Sequence, residues 1–324
     1  MPLFSPWKNS LSVLAYHRII DVNSPNFSGY RPVVSASPRQ FYQQMSFLKR
    51  WYTVISQAEL LSWLHGQQPL PRSPLLITFD DGYLDNYQYA FPILRDLGLP
   101  AVVFLTTDFV DGVHHFYWDH VADLFCKCDR LQGHLPVLGF RKWKTLESRD
   151  QLVKEWVSVV KKYTEKDKRA ALDLLGDVLM PGTTLSLHNK NMTWDMVRRM
   201  VDGGIEMGAH TCAHPILTKV SLNVVKHEVR ASKRRIEQET GAPVVSFAYP
   251  NGWVTDFNED VEQILRAQHL QLAYSLVPGP MPLRQVRKRP LAIRRITISH
   301  KDYFFRFFLK TVMAGALWRQ HAYR

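Results

Sequence analysis

Leu75-Leu76-Ile77-Thr78-Phe79-Asp80-Asp81-Gly82 sets a short apolar run directly ahead of two adjacent carboxylates and a glycine. A run this short, rich in branched and aromatic residues and ended by glycine, reads as a buried strand. In a parallel α/β fold the carboxyl end of a strand faces the functional mouth, and Gly82 permits the tight turn that aims both carboxylates inward. Two neighbouring anions repel, so a metal ion or a shared proton is expected between them. The competing reading is plain: aspartate often caps the helix that follows a strand.

Working outward, residues 11–16, 52–55, 101–105, 205–209, 244–249 and 272–276 are similar strand-like runs. Between them lie helical periods: Phe41, Met45 and Leu48 after Ser37-Pro38, then Tyr87, Phe91 and Leu94 up to Gly98, then residues 222–236 before Gly241. The alternation predicts an α/β fold of parallel strands with right-handed crossovers. Seven or eight strands close a (β/α) barrel, and an open doubly wound sheet is the other arrangement. Residues 1–324 read as one such domain. Residues 108–191 break the rhythm with a charged helical run, 148–179, and a Pro181-Gly182 break; they are read as a helical insertion over the barrel mouth.

Residues 302–324 form a C-terminal helical segment carrying Phe304, Phe305, Phe307, Phe308 and Leu309 beside Lys301, Arg306 and Lys310. Docking on the barrel is the expected role, with contact to an anionic membrane surface as the second. The first 14 residues hold no apolar run long enough for a signal peptide, and no stretch reaches the ~18 apolar residues of a membrane span. A cytoplasmic or membrane-peripheral location is expected, and the oligomeric state is left open. The net charge of +12 over 324 residues would attract polyanions. Its patches at Lys161-Lys162, 166–169, 233–235 and 284–295 lack interleaved aromatics, so a solvated basic face is expected and no nucleic-acid partner. Cys126, Cys128 and Cys212 form neither a secretory framework nor a zinc pattern and read as reduced thiols.

His210-Thr211-Cys212-Ala213-His214 follows a second strand-like run. Histidines four apart point the same way on a helical turn. With one carboxylate oxygen they supply the three protein ligands of a catalytic zinc-type site that keeps room for water. A divalent ion there would polarise an amide carbonyl and make a nucleophile of water at neutral pH. A third strand end carries Tyr249-Pro250-Asn251-Gly252, a turn whose backbone N–H groups could stabilise an oxyanion. The first strand ends at His17, the candidate acid for an amine leaving group.

These motifs resemble the polysaccharide deacetylase family, the carbohydrate esterases built on the nodulation-type chitooligosaccharide deacetylase domain. T-F-D-D-G at 78–82, H-T-C-A-H-P at 210–215 and F-A-Y-P-N-G at 247–252 carry the resemblance. The resemblance implies a distorted barrel in which Asp80 is the general base, Asp81, His210 and His214 hold the metal, and the Asn251 N–H stabilises the oxyanion. The Tyr16-His17 strand resembles the poly-N-acetylglucosamine deacetylase branch, whose permuted order places the acid histidine first, at His17. Ala248 stands where the family often has an arginine that orients the base, and Arg18 is a stand-in near in sequence. His300, in Ile298-Ser299-His300, is a second candidate acid.

The expected function is therefore a metal-dependent hydrolase that removes N-acetyl groups from amino sugars of a polysaccharide, oligosaccharide or lipid-linked glycan. Zinc is the favoured ion, with cobalt, nickel and iron compatible with the same ligands. The alternative from another class is a glycan-binding protein with a catalytically weak or inactive metal site. Trp118, Trp143 and Trp194 are candidate sugar-stacking aromatics.

Overall fold

The run ahead of the two carboxylates is the strand Pro74–Phe79, buried along its whole length. It belongs to a computed structural model that describes residues 9–24, 27, 29–180 and 190–313. The strand lies parallel to Ser10–Tyr16 on one side, with Tyr16 opposite Phe79, and to Val102–Leu105 on the other. Glu206–Ala209, Ser246–Ala248, Leu272–Pro278 and Ile293–Thr297 continue the parallel order. Ile293–Thr297 then pairs back onto Ser10–Tyr16, closing a seven-strand barrel and excluding an open doubly wound sheet. The closure is distorted: the register slips between Tyr274 and Pro278, and the strands through Phe247 and Ala209 meet at that single pair.

Two strands differ from the sequence expectation. Of residues 52–55 only Thr53–Val54 is extended, and it lies against Pro74–Phe79 outside the closed ring. Its place in the ring is taken by Ile293–Thr297. The sequence Ile-Arg-Arg-Ile-Thr masks this strand because two of its five residues are arginines. Its geometry is ordinary: Ile293 and Arg295 point to one face, Arg294 and Ile296 to the other.

The same period of two sorts the core. Val13, Leu76, Phe104, Ala248, Tyr274 and Ile293 form one apolar cluster inside the ring. Their strand neighbours, Tyr16, Ile77, Phe79, Val103 and Phe247, pack outward with Phe41, Leu94, Val229 and Leu265 of the surrounding helices. Helix Pro38–Trp51 starts at a capping box in which Ser37 and Gln40 satisfy each other's backbone N–H, and it buries Phe41, Met45 and Leu48. Each such burial contributes roughly 1.5–3 kcal/mol. Helix Leu222–Thr240 stops at Gly241, whose φ of 68° suits a residue without a Cβ.

Between the third and fourth barrel strands, helices Tyr117–Lys127, Leu146–Val160 and Glu165–Leu179 surround an apolar cluster of their own, with Trp143 and Trp156 fully buried. The charged run 148–179 comprises two of these helices. An antiparallel hairpin, Gln132–Leu135 with Gly139–Lys142, adds strands to a stretch expected to be helical. The Pro181-Gly182 break, residues 1–8 at the start of the chain and residues 314–324 of the terminal segment lie outside the described residues. Among the described residues no helix is long and apolar enough to cross a membrane. The three cysteines carry no disulfide.

Candidate metal and catalytic site

The inward period delivers the chemistry. Leu76 and Thr78 face the barrel axis, and so does Asp80, because its N–H extends the ladder one residue by donating to the Tyr16 carbonyl at 2.9 Å. From across the ring comes Arg295, fully buried, whose Nη1 and Nη2 each donate to one Asp80 oxygen at 2.7 Å. Nε of the same guanidinium donates to the Ser275 carbonyl at 3.0 Å, and Nη1 also reaches Thr78 Oγ1 at 3.2 Å. The fork therefore has one orientation, and it imposes that orientation on the carboxylate. Burial alone would push the Asp80 carboxyl up, but the Arg295 charge outweighs it and holds the group well below the usual carboxylate range.

Asp81 turns away from its neighbour. Its φ of 78° places it in the left-handed region, and its Oδ1 lies 3.6 Å from Nε2 of both His210 and His214. Asp81 Oδ1 is buried without a hydrogen-bond partner. His210 Nδ1 lies 2.7 Å from the Ala248 carbonyl, so it carries the proton and leaves the Nε2 lone pair facing Asp81. His214 is pushed down to about 3 by burial and the adjacent His210 imidazole, which keeps it neutral. Burial also opposes charge on His210, but the two carboxylates outweigh it and raise that imidazole. The three ligand atoms fall within 4.8 Å of one another. Ligands held at zinc-type distances in a tetrahedron stand roughly 3.3 Å apart, so an orphaned carboxylate oxygen at 3.6 Å from two imidazoles fits one divalent ion after a small contraction.

The backbone is strained where these groups meet. Asp81, Thr211, His214 and Asn251 are four of the eight described non-glycine residues with positive φ. Such conformations cost roughly 1–3 kcal/mol each and persist only where the surroundings over-determine them. In the Thr211–His214 turn Glu228 does so, its Oε2 accepting the Cys212 and Ala213 N–H groups at 2.7 and 3.0 Å, while Thr211 Oγ1 accepts the His214 N–H at 3.0 Å. Cys212 sits between the two histidines, yet burial pushes its thiol up to about 12 and leaves it unreactive.

Asp80, Asp81, His210, His214, His17 and Asn251 all line one cleft of about 350 Å³. His17 Nε2 is 3.9 Å from Asp80 Oδ2. His300 does not line the cleft; its ring faces the Val34 carbonyl at 3.3 Å. Among the described hydrogen bonds none uses the Asn251 N–H, which is therefore available to a ligand oxygen. Tyr249 and Pro250 do not line the cleft: the Tyr249 side chain is buried, bonded to the Leu291 carbonyl and stacked on Phe257. Pro250 serves the tight turn, its carbonyl accepting the Gly252 N–H at 2.7 Å.

Arg18 is not the stand-in for the missing arginine. It is bound to Asp85 at 2.8 Å and lies over the Tyr83 ring. The cation paired with Asp80 is instead Arg295, from the strand that sequence reading overlooked, and it is no part of a solvated basic face. Lys161 and Lys168, also read as solvated, line the cleft, and Lys161 Nζ bonds the Asn251 side chain. Of the three tryptophans only Trp118 lines the cleft, edge-on to His214 at 5.3 Å. Trp143 is core, and Trp194 bonds Asp111 beneath Arg235. Alternation would have found Arg295 had the arginines not hidden the strand. Lys161 had no signal short of the folded cleft.

The family model for polysaccharide deacetylases matches residues 67–126 and 160–273. Bacillus subtilis YxkH, named for the same family, is 29% identical over 115 residues, which are 35% of this chain and 38% of that protein. The poly-β-1,6-N-acetyl-D-glucosamine N-deacetylase of Escherichia coli is 29% identical over 99 residues, 30% of this chain and 14% of that protein. The matches thus span well under half the length of these curated relatives. Among solved structures, the Streptococcus pyogenes deacetylase PplD superposes with a TM-score of 0.62 at 18% identity, covering 94% of this chain and 99% of that one. IcaB of Ammonifex degensii superposes at 0.55 and 19% identity, covering 91% and 94%. At such identities the likeness shows the fold.

Proposed function

This chain belongs to the polysaccharide deacetylase family, and from that premise we propose that it hydrolyses the N-acetyl group of an amino sugar in a glycan, through the cleft at the barrel mouth. The observation that carries the reading is the separation of two adjacent carboxylates into two tasks. Asp80 is clamped by Arg295 and kept ionised, whereas Asp81 is turned by its left-handed backbone toward two imidazoles. That separation supports a base in the one carboxylate and a metal ligand in the other.

Asp81, His210 and His214 would hold the divalent ion, zinc being favoured. Bound there, the ion would supply a Lewis acid that polarises the acetyl carbonyl and acidifies water toward a pKa of ~7. Asp80 takes the proton of the attacking water in the direction its clamp fixes. The Asn251 N–H donates to the oxygen on which charge develops, a contribution worth roughly 2.7–4 kcal/mol in comparable sites. His17, at the same mouth, gives its proton to the departing amine. Trp118 offers an aromatic wall for the sugar ring beside His214. The E. coli relative's named substrate supports a poly-N-acetylglucosamine-type glycan as the first one to try.

The test is release of free amine from N-acetylated oligosaccharides and lipid-linked sugars by zinc-, cobalt- or nickel-loaded protein. Asp80→Asn is expected to keep the metal and lose turnover, whereas His210→Ala and His214→Ala lose both. Full activity in Asp80→Asn would refute the assignment of the base. Stoichiometric metal with no amine from any substrate would favour a glycan-binding protein.

A further inference from the structure

We propose that the aromatic face formed by the C-terminal helix and the end of helix Pro38–Trp51 docks on an anionic lipid bilayer. Helix Phe304–Phe308 divides its aromatics between two directions. Phe307 is fully buried, and Phe304, Phe307 and Phe308 bring their rings to within 5.7–6.1 Å of Phe47 on the neighbouring helix. That contact anchors the helix to the barrel wall. Tyr303 and Phe305 remain 69% and 71% exposed, and Phe304 and Trp51, both against the Phe47 ring, are 49% and 44% exposed. Large aromatics left out singly need no explanation, but Trp51 and Phe304 sharing the Phe47 ring, with Tyr303 and Phe305 exposed to either side of Phe304, gather four on one short terminal segment and mark an interaction surface.

Charge selects the occupant. Between residues 301 and 310, Arg306 and Lys310 share one buried carboxylate, Asp302, at 3.2 and 2.5 Å, which with Lys301 leaves two positive charges in excess on this segment. Arg50 lies over the Trp51 ring at 5.6 Å, extending the cationic rim along the other helix. A second copy of this chain would bring the same cationic rim against itself, and a molecule of net charge +12 gains nothing from that. An anionic bilayer meets both features: the rim faces headgroups, while the rings enter the boundary below them. None of these side chains lines the catalytic cleft, so the proposal stands or falls independently of the reaction assigned there.

The experiment is co-sedimentation of the full chain with phosphatidylcholine vesicles, with and without phosphatidylglycerol, across a salt series. Binding is expected only with phosphatidylglycerol, weakening as salt screens the rim. The double variant Tyr303→Ser/Phe305→Ser is expected to lower partitioning roughly tenfold or more. Its thermal midpoint and amine release should match the wild type, because both side chains are solvent-facing. Phe305→Asp alone, which adds an anion at the same face, is expected to act in the same direction. Absence of wild-type binding to either vesicle, or undiminished binding by both variants, would overturn the proposal. So would a wild-type dimer in light scattering that the double variant dissolves, since that would make a second copy the occupant.

Discussion

Replacing Arg295 with methionine removes a fully buried guanidinium and leaves the Asp80 carboxylate, 1% exposed, without its counter-ion. Two hydrogen bonds of 2.7 Å disappear at once. Breaking a buried pair from one side costs about 3–5 kcal/mol, and in a chain of this size that lowers the unfolding midpoint on the order of 10 °C. The pH dependence gives the sharper reading. In the wild type the Asp80 carboxyl is held below its unfolded value of about 3.9, so its contribution is present above that pH and is lost only in stronger acid. In Arg295→Met, burial is opposed only by the neighbouring His210 and His17 imidazoles and raises the same group. Its penalty then grows as pH rises from about 4 through the new folded value. The stability gap between variant and wild type, measured by thermal unfolding in chelator, should therefore be wide at neutral pH and narrow toward pH ~4. Asp80→Asn/Arg295→Met should recover much of the loss, with a coupling of about 2 kcal/mol or more. Turnover should fall roughly a hundredfold in Arg295→Met, because the base is no longer aimed. Arg295→Lys should recover stability better than rate, since a point charge replaces a fork. A gap that does not change with pH, or a cycle additive within about 0.5 kcal/mol, would refute the reasoning.

Zinc at about a hundred times its dissociation constant should stabilise the protein by about 2.7 kcal/mol, read as a thermal shift with bound metal quantified. His214→Ala should abolish both, and an unchanged shift in that variant would remove it from the ligand set. His17→Gln should keep the metal but lose roughly 10²–10⁴ of turnover; retained turnover would hand the acid role to another group. Gly208→Ala would set a Cβ 2.3 Å from the Phe104 ring inside the barrel. Denaturant unfolding should show a loss of about 1–3 kcal/mol.

The sequence by itself was enough for the barrel class and for the residues at three of its strand ends. Short apolar runs bounded by turns, with Asp80-Asp81 and His210 to His214 directly after two of them, carry their meaning locally. A strand's end and the face its residues share follow from backbone geometry alone. Gly98 and Gly241 closed helices where expected, because only the left-handed conformation was at issue there.

What the tertiary structure decided is which distant groups meet. Ala248 stands where the resemblance implies an arginine, and nearness in sequence to Arg18 was no guide to the cation that pairs with Asp80. Arg18 is captured by Asp85, whereas Arg295, 215 positions beyond Asp80, arrives because ring closure sets its strand beside Ser10–Tyr16. Local pattern could not show this, since two arginines in five residues read as surface until the barrel gives one of them an inside and a carboxylate to pair with. The same holds for Lys161 at Asn251 and for His17 rather than His300 lining the cleft. Position along the chain determines which face a side chain takes, but the charge it faces is set by how strands far apart in sequence close on one another.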